Sequence, residues 1–468
     1  MKINRSLTPQ SLQPAIAHFF ELSGAKILSL EKKWDPALGS PVFTKNGRYT
    51  SRGWTEWTQG FQFGSSILQF DATGDAAYLA SGRTNTNNFM AVHVSHMGVH
   101  DHGFNNISTY GNLLRLMNEG RIEENAWERR YYEMALKSSA AVQAHRWSEI
   151  SGGGGYIYSF NGPHSLFADT IRSLRSLAKG HQLAHVLLEE NDRKVSLLGR
   201  LIEHARATAK YSVYYGEGRD AFDVRGRVAH ESIFNPNDGA YRCPNSQQGY
   251  SPFTTWTRGL SWVMCGFAEE MEFLGSLDEK ELKPFGGKTA ILEMMLKAAR
   301  AACDYYIDIT PEDGIPYWDT GAPLLHKLGD YLDRPADPFN DCEPVDSSAA
   351  AIAAQGLLRL GDYLAGAGRS GEGKRYTQAG LTVLSALLGA PYLSEGPDHQ
   401  GLILHSVYHR PNGWDHIPRG RRVPCGESSM WGDYHAREAA LYVKRSIGKE
   451  PYLVFWRTGG HPSRKKGG

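Results

Sequence analysis

Two aspartates carry the clearest chemical potential in this chain. Asp101 lies in the run His-Asp-His-Gly-Phe, and Asp169 follows Leu166, Phe167 and Ala168 and precedes Ile171. A carboxylate among apolar neighbours on a buried face loses the hydration of its charged form, so its pKa rises, and a second acid nearby raises it further. Such a group can hold a proton near neutral pH and deliver it, as general acid–base chemistry requires. Acids at helix starts more commonly serve as N-caps for unpaired backbone N–H groups. That role covers many acids here but suits Asp101 and Asp169 less well. Aromatic residues accompany the pair: Trp57, Phe61, Trp256, Trp262, Trp431 and Tyr434. Their faces could stack on pyranose rings, with Gln248, Arg258 and His230 supplying hydrogen bonds. Any one of them taken singly belongs more often to a core than to a ligand platform. Their recurrence at the starts of successive helical segments is what points to a sugar cleft.

The histidines His93, His96, His100 and His102 crowd the same stretch. The spacing of His96 and His100 puts two imidazoles on one helical face, but Gly98 and a turn-like sequence interrupt such a helix, and no metal is expected. No HExxH, P-loop or GxSxG pattern occurs, and the glycine run from Gly152 lacks both a preceding strand and a following Lys.

The elements that must position these residues alternate along the chain. Amphipathic segments cover 11–31, 75–92, 124–145, 192–211, 288–306 and 371–388, and each reads as a surface helix with one apolar face. Between them come six segments of another style, opening at Trp57, His100, Leu166, Trp256, Val345 and Met430. Each has a Trp, Asp or Arg near its start and small residues in its first turns. Small residues let helices approach closely around an axis, and the polar and aromatic starts would gather at one end. Six inner and six outer helices in alternation predict an all-α fold, an (α/α)6 barrel, with residues 1–455 as a single domain and 456–468 as a flexible basic tail. The stretches 212–250 and 402–426 read as long irregular loops, which in compact domains are usually functional; both precede inner helices and could wall a pocket. A two-domain helical protein with unrelated halves is the alternative.

Composition narrows the classes. The 468 residues carry 51 basic and 50 acidic side chains, a net charge of +1, so no global field attracts nucleic acid or an anionic membrane. The five cysteines, an odd number without CxxC spacing, argue against a disulfide framework or a zinc ribbon. No apolar run is long enough to span a bilayer or to act as a signal peptide. A cytoplasmic location is expected, or a periplasmic one should a leader precede the sequence given.

With these motifs in order, the chain resembles glycoside hydrolase family 88, the unsaturated glucuronyl hydrolases, from about Trp57 to Leu441. The resemblance rests on WTQGF at Trp57 to Phe61, HDHGF at His100 to Phe104, the Asp169 segment, QQGY at Gln247 to Tyr250, WTRGLSW at Trp256 to Trp262, DSSAAAIAA at Asp346 to Ala354 and WGDY at Trp431 to Tyr434. It implies an (α/α)6 barrel that removes the 4,5-unsaturated uronate from the non-reducing end of lyase-generated oligosaccharides, with no cofactor. By the same resemblance Asp169 protonates C4 and activates water for C5, and Asp101 holds sugar hydroxyls and tunes the acid. Trp57, Phe61, His230, Gln248, Arg258, Trp262 and Trp431 fall on substrate-binding positions, and Ser428 and Ser429, just before Trp431, correspond to polar residues near the uronate. Two departures stand out: His102 replaces an aliphatic residue, and the loop from Arg410 to Cys425 carries Arg419, Arg421 and Arg422, which could recognise a sulfate or a further uronate. Competing readings are an unsaturated rhamnogalacturonyl hydrolase, a polysaccharide lyase or epimerase on a similar barrel, and a non-catalytic sugar-binding protein.

Overall fold

The computed structural model describes residues 1–53 and 56–456. Among these residues twelve long helical segments follow one another: α1 (Gln13–Lys33), α2 (Gln59–Thr73), α3 (Ala76–Phe89), α4 (102–118), α5 (Ala126–His145), α6 (170–182), α7 (Leu197–Ala207), α8 (Thr257–Ser276), α9 (Lys288–Ile309), α10 (Ser347–Gly366), α11 (Ser370–Leu387) and α12 (Met430–Gly448). A π turn at Ile107–Gly111 interrupts α4, and α6 is broken at Leu174.

The even-numbered helices α8, α10 and α12 are buried on nearly every face, whereas α9 and α11 bury one side. A helix buried all round must find partners on all sides. Those partners form a cycle: α2 packs on α4, α4 on α6, α6 on α8, α8 on α10, α10 on α12, and α12 returns to α2. The odd-numbered helices lie outside, α3 on α2, α5 on α4 and α6, α7 on α6, α9 on α8, α11 on α10, and α1 across α2 and α12. Close approach depends on the small residues seen in the sequence. A Cβ added at Gly356 of α10 would sit 2.8 Å from the backbone nitrogen of Cys265 in α8.

One hydrophobic cluster runs from Leu12 to Trp456. Trp456, the first residue of the expected tail, is buried beside Phe273; residues 457–468 lie outside the described part of the chain. The interior between the inner helices is not purely apolar. Arg172 reaches Glu269 at 2.7 Å and Glu438 at 2.9 Å, and Arg359 reaches Glu272 at 2.8 Å.

The stretch 212–250 contains more order than its sequence suggests. Strands Glu231–Phe234 and Tyr241–Asn245 pair antiparallel, and Ser165–Phe167 adds to the free side of the first, with Leu166 opposite Ser232 and Ile233 opposite Cys243. Apolar alternation is hidden because buried Glu231 takes hydrogen bonds from Ser165, Asn161 and Asn245. The segment from Leu166 therefore starts as a strand and becomes helical only at Thr170. Likewise the segment expected from Asp192 opens with the strand Arg193–Val195, and α7 begins at Leu197, where the Ser196 hydroxyl accepts from Gly199 N. Residues 402–426 contain no helix, as expected. A hairpin, Phe43–Lys45 with Arg48–Thr50, precedes α2.

Candidate active site

The starts of the inner helices surround a cavity of about 400 Å³. Asp101 and Asp169 lie in its wall with His100 between them, and Trp57, Phe104, Trp256 and Trp262 provide aromatic surface. Gln248 and Arg258 supply its polar groups.

Strand and helix geometry deliver the two carboxylates. Ala168 N donates to His230 O at 2.8 Å, which extends the strand register by one residue and sets Asp169 at the start of α6. Asp101 stands at the start of α4. The two helices meet at Gly103, whose N–H donates to Ser173 Oγ at 2.9 Å and where any Cβ would lie 1.9 Å from Ser173 O. A larger residue there would force α4 and α6 apart, and the carboxylates with them. Both aspartates occupy N-cap positions, yet neither side chain makes a capping bond. Asp346, at the start of α10, shows the ordinary use: it accepts from Ser348 N and Ala349 N. Asp101 and Asp169 are thus left available, although only 8% and 7% exposed.

His100 organises their charge. Its Nε2 lies 3.3 Å from Asp169 Oδ1 and 3.6 Å from Asp101 Oδ1. Neither ring nitrogen, nor Asp169 Oδ1, meets hydrogen-bond geometry with any described residue. Burial opposes charge on the imidazole, but the two carboxylates outweigh it and the His100 pKa is raised. The aspartates respond in opposite senses. Burial raises Asp101, only partly countered by His100. Burial would raise Asp169 too, but the imidazole of His100 3.3 Å away, with the more distant His230 and Arg258, holds it below the ordinary carboxylate value. The expectation of a raised pKa at both positions therefore needs correction at Asp169, because a cation buried beside it favours the ionised form.

The other expected site residues divide into wall and support. Trp57, Gln248, Arg258 and Trp262 line the cavity. Arg258 is held by Asp346 at 2.9 Å, by the Val407 and Tyr408 carbonyls, and by Gln248 Oε1 at 3.0 Å. It thereby fixes Gln248 and the loop around Tyr408 together. Phe61 and Trp431 do not line the cavity. Both are buried behind Trp57, with ring centroids 5.8 Å and 5.1 Å from it, and Trp431 Nε1 donates to Ser348 Oγ. His230 also lies behind the wall. Its Nδ1 accepts from Gln247 N at 3.1 Å and Gln248 N at 3.3 Å, and burial lowers its pKa to about 4. The neutral ring therefore carries its proton on Nε2, an atom with no hydrogen-bond partner among the described residues. Ser428 and Ser429 do not line the cavity either. Ser429 caps α12 through Gly432 N, and Ser428 joins the Phe43–Lys45 strand through Thr44, so both hold structure rather than face the cavity.

Sequence reasoning did not single out Tyr408, His409 and Trp414, which line the cavity from the loop 402–426, or Glu56 and Phe160. The only signal was the length of that loop and its place before an inner helix. The loop arginines do not line the cavity: Arg419, Arg421 and Arg422 are exposed, and Arg421 donates to Phe339 O at 3.0 Å. The histidine cluster is dispersed. His93 bonds Gln59 and Asn105, His102 bonds Ser139 and the His96 carbonyl, and burial lowers His102 to a pKa of about 3. Among the described residues no group of three or more His, Cys, Asp or Glu side chains converges as a metal ion would require.

A largely helical fold with a buried carboxylate pair in an aromatic cleft can be set against known proteins. No family model matches the chain. In fold, it matches the crystal structure of the unsaturated glucuronyl hydrolase from Bacillus sp. GL1, a protein described as responsible for the degradation of glycosaminoglycan. The TM-score is 0.70 at 22% identity, covering 96% of this chain and 100% of that one. In sequence, the unsaturated glucuronyl hydrolase of Bacillus sp. (strain GL1) is 28% identical over 228 residues, 48% of this chain and 49% of that protein, so the match spans about half of it. The unsaturated chondroitin disaccharide hydrolase of Streptococcus pyogenes serotype M1 is 25% identical over 408 residues, 85% of this chain and 84% of that protein. The chain resembles the unsaturated glucuronyl hydrolases, which are glycoside hydrolases, in sequence as well as in fold.

Proposed function

We propose that this protein hydrolyses lyase-generated oligosaccharides, releasing the 4,5-unsaturated uronate from the non-reducing end by hydration of its C4–C5 double bond. The observation that carries the reading is the buried Asp101–His100–Asp169 cluster, withheld from capping and exposed to an aromatic-walled cavity. We read the cycle of six inner helices with its outer layer as an (α/α)6 barrel, and the whole of 1–455 as its single domain.

The C4–C5 bond of such a uronate is a vinyl ether. The Asp169 carboxyl gives its proton to C4, and the double-bond electrons form the new C–H bond. The cation left at C5 is stabilised by the ring oxygen. Water adds at C5 and returns a proton to the Asp169 carboxylate. The C5–ring oxygen bond of this hemiketal then breaks to a ketone, and the hemiacetal at C1 expels the aglycone alcohol. No nucleophilic carboxylate is needed, so the usual relation between carboxylate separation and stereochemistry does not apply.

Asp169 is held below the ordinary carboxylate value, whereas this step needs it protonated. Substrate binding supplies the change. An arriving uronate brings a negative charge and displaces water, and both raise the pKa of a neighbouring carboxylate. Asp101, raised by burial, and His100, raised by the two carboxylates, are both shifted toward their protonated forms beside Asp169.

The test is incubation with unsaturated disaccharides prepared from several uronate polymers, following the ultraviolet absorbance of the conjugated double bond, with Asp169→Asn in parallel. Loss of absorbance with at least one substrate, absent in the variant, supports the reading and names the parent polymer. Persistence of the absorbance with every substrate between about pH 5 and 8 removes it.

A further inference from the structure

A second cleft of about 400 Å³ adjoins the catalytic cavity, and Tyr408 and Trp414 line both. One wall is the hairpin around Phe43–Lys45, and the other is the loop 413–417. These walls are built rather than incidental. The Asp415 carboxylate accepts from Tyr408 N and His409 N and so fixes the loop. Glu427 accepts from Asn46 N at 2.7 Å and Gly47 N at 3.2 Å and fixes the hairpin tip. His416 joins the two walls through Asn46 at 3.0 Å.

Cations outnumber acids in the lining of this cleft. Lys45 and Arg52 line it, and the Arg52 guanidinium lies 4.3 Å over the Trp414 ring, an arrangement that orients a cation against a flat apolar surface. Asp415 is the one acid in the lining, and its carboxylate is engaged by backbone amides. The neighbouring Glu427 is engaged in the same way. Aromatic side chains with cations among them suit a sugar ring bearing a carboxylate or a sulfate. The volume lies within the ordinary range for ligand pockets, roughly 300–1,000 Å³.

We propose that this cleft is a subsite for an acidic sugar of the aglycone, at least one residue removed from the unsaturated uronate, with its carboxylate or sulfate facing Lys45 and Arg52. The proposal rests on the hydrolase reading for its orientation, since the catalytic cavity must take the unsaturated end. It differs from the arginine-loop expectation, because the recognising cations come from the N-terminal hairpin region and not from Arg419, Arg421 or Arg422.

The experiment compares an unsaturated disaccharide with three unsaturated tetrasaccharides whose internal sugars are neutral, carboxylated, or sulfated. Each is tested on the wild-type protein and on Lys45→Ala, Arg52→Ala and the double variant. Binding to Asp169→Asn protein by calorimetry, with and without the same two substitutions, reads the subsite without turnover. The expected result is about 5- to 10-fold higher kcat/KM, and similarly tighter binding, for an acidic tetrasaccharide than for the neutral one, as for one or two charge-assisted contacts. That preference shrinks to within about twofold in the double variant and at high salt, while disaccharide turnover is unchanged. Whichever acidic tetrasaccharide gains identifies carboxylate or sulfate as the group read. Equal binding of neutral and acidic tetrasaccharides, or a preference that survives in the double variant, overturns the subsite. Failure of every substrate to turn over removes the hydrolase reading instead, and the calorimetric comparison still decides the cleft.

Discussion

Buried charge is handled in opposite ways at the two levels of the inner helices. Deeper in the helices, Arg172 is bracketed by Glu269 and Glu438, and Arg359 by Glu272, at distances of 2.7 to 2.9 Å. At the helix starts, Asp101 and Asp169 share one histidine at 3.6 and 3.3 Å and make no capping bonds. In the deep set each of these charges lies in contact with an opposite one, although Arg172 Nη1, Glu269 Oε2 and Arg359 Nε have no hydrogen-bond partner among the described residues. The looser cluster keeps desolvated, under-bonded groups facing a cavity, where a substrate can complete their bonding. Both sets are almost fully buried, so exposure alone does not separate structure from chemistry; a place in the cavity wall does.

The comparison can be broken most sharply at the mouth. Asp169→Asn is expected to lower kcat on the unsaturated disaccharide by about a hundred- to ten-thousand-fold, with folding stability changed by no more than about 1–2 kcal/mol. Steady-state kinetics beside a urea titration checks both halves, and a large stability loss would mean that Asp169 is structural. The opposite pattern is expected deeper down. Arg172→Met leaves buried Glu269 and Glu438 with only the longer contacts of Arg175 and Arg359, at 3.7 to 3.9 Å, and should cost about 3–5 kcal/mol of stability, read as a lower urea midpoint at unchanged slope.

His100→Gln sharpens the electrostatic half of the comparison. Removing the imidazolium lets burial dominate at Asp169, whose pKa then rises, so the alkaline limb of the kcat/KM profile should move to higher pH while the rate falls about tenfold or more. A fall in rate with an unmoved profile would reduce His100 to packing. The same linkage acts on stability. The His100 pKa is raised in the folded protein, so its contribution is complete below the ordinary 6.5 and is lost as pH rises through the folded value. Asp169 is lowered, so its contribution is present above 3.8 and is lost as pH falls through the folded value. Wild-type protein should therefore lose more stability than His100→Gln as pH rises from about 6.5, measured by melting across pH. The smallest effect is expected at the exposed loop: Arg421→Ala with Arg422→Ala should change stability by no more than about 0.5 kcal/mol and leave substrate preference unaltered, checked on sulfated and unsulfated substrates.

Legibility followed the range of the interactions. The alternation of helix types was visible because a helix packed on all sides needs small and apolar residues at every angle, as Ser347–Gly366 shows, whereas an outer helix needs only one face. Strand Glu231–Phe234 was missed because its buried Glu231 and Ser232 break the period that marks strands. Motif proximity does not say which way a residue turns: Ser429 Oγ accepts from Gly432 N of α12, and Ser428 joins the Phe43–Lys45 strand through its backbone N–H to Thr44.

The sequence by itself determined the helical class, the order of inner and outer segments, the two aspartates and the loop that walls the cleft, because these depend on local periodicity and residue type. Tertiary structure alone decided which charges are paired and which are left open. Arg172 and Glu438 are 266 residues apart, and Asp101 and Asp169 meet only because Gly103 lets two helices touch at Ser173. It also decided the sign of the Asp169 shift, since a pKa is set by the charges within a few ångströms rather than by the neighbours along the chain.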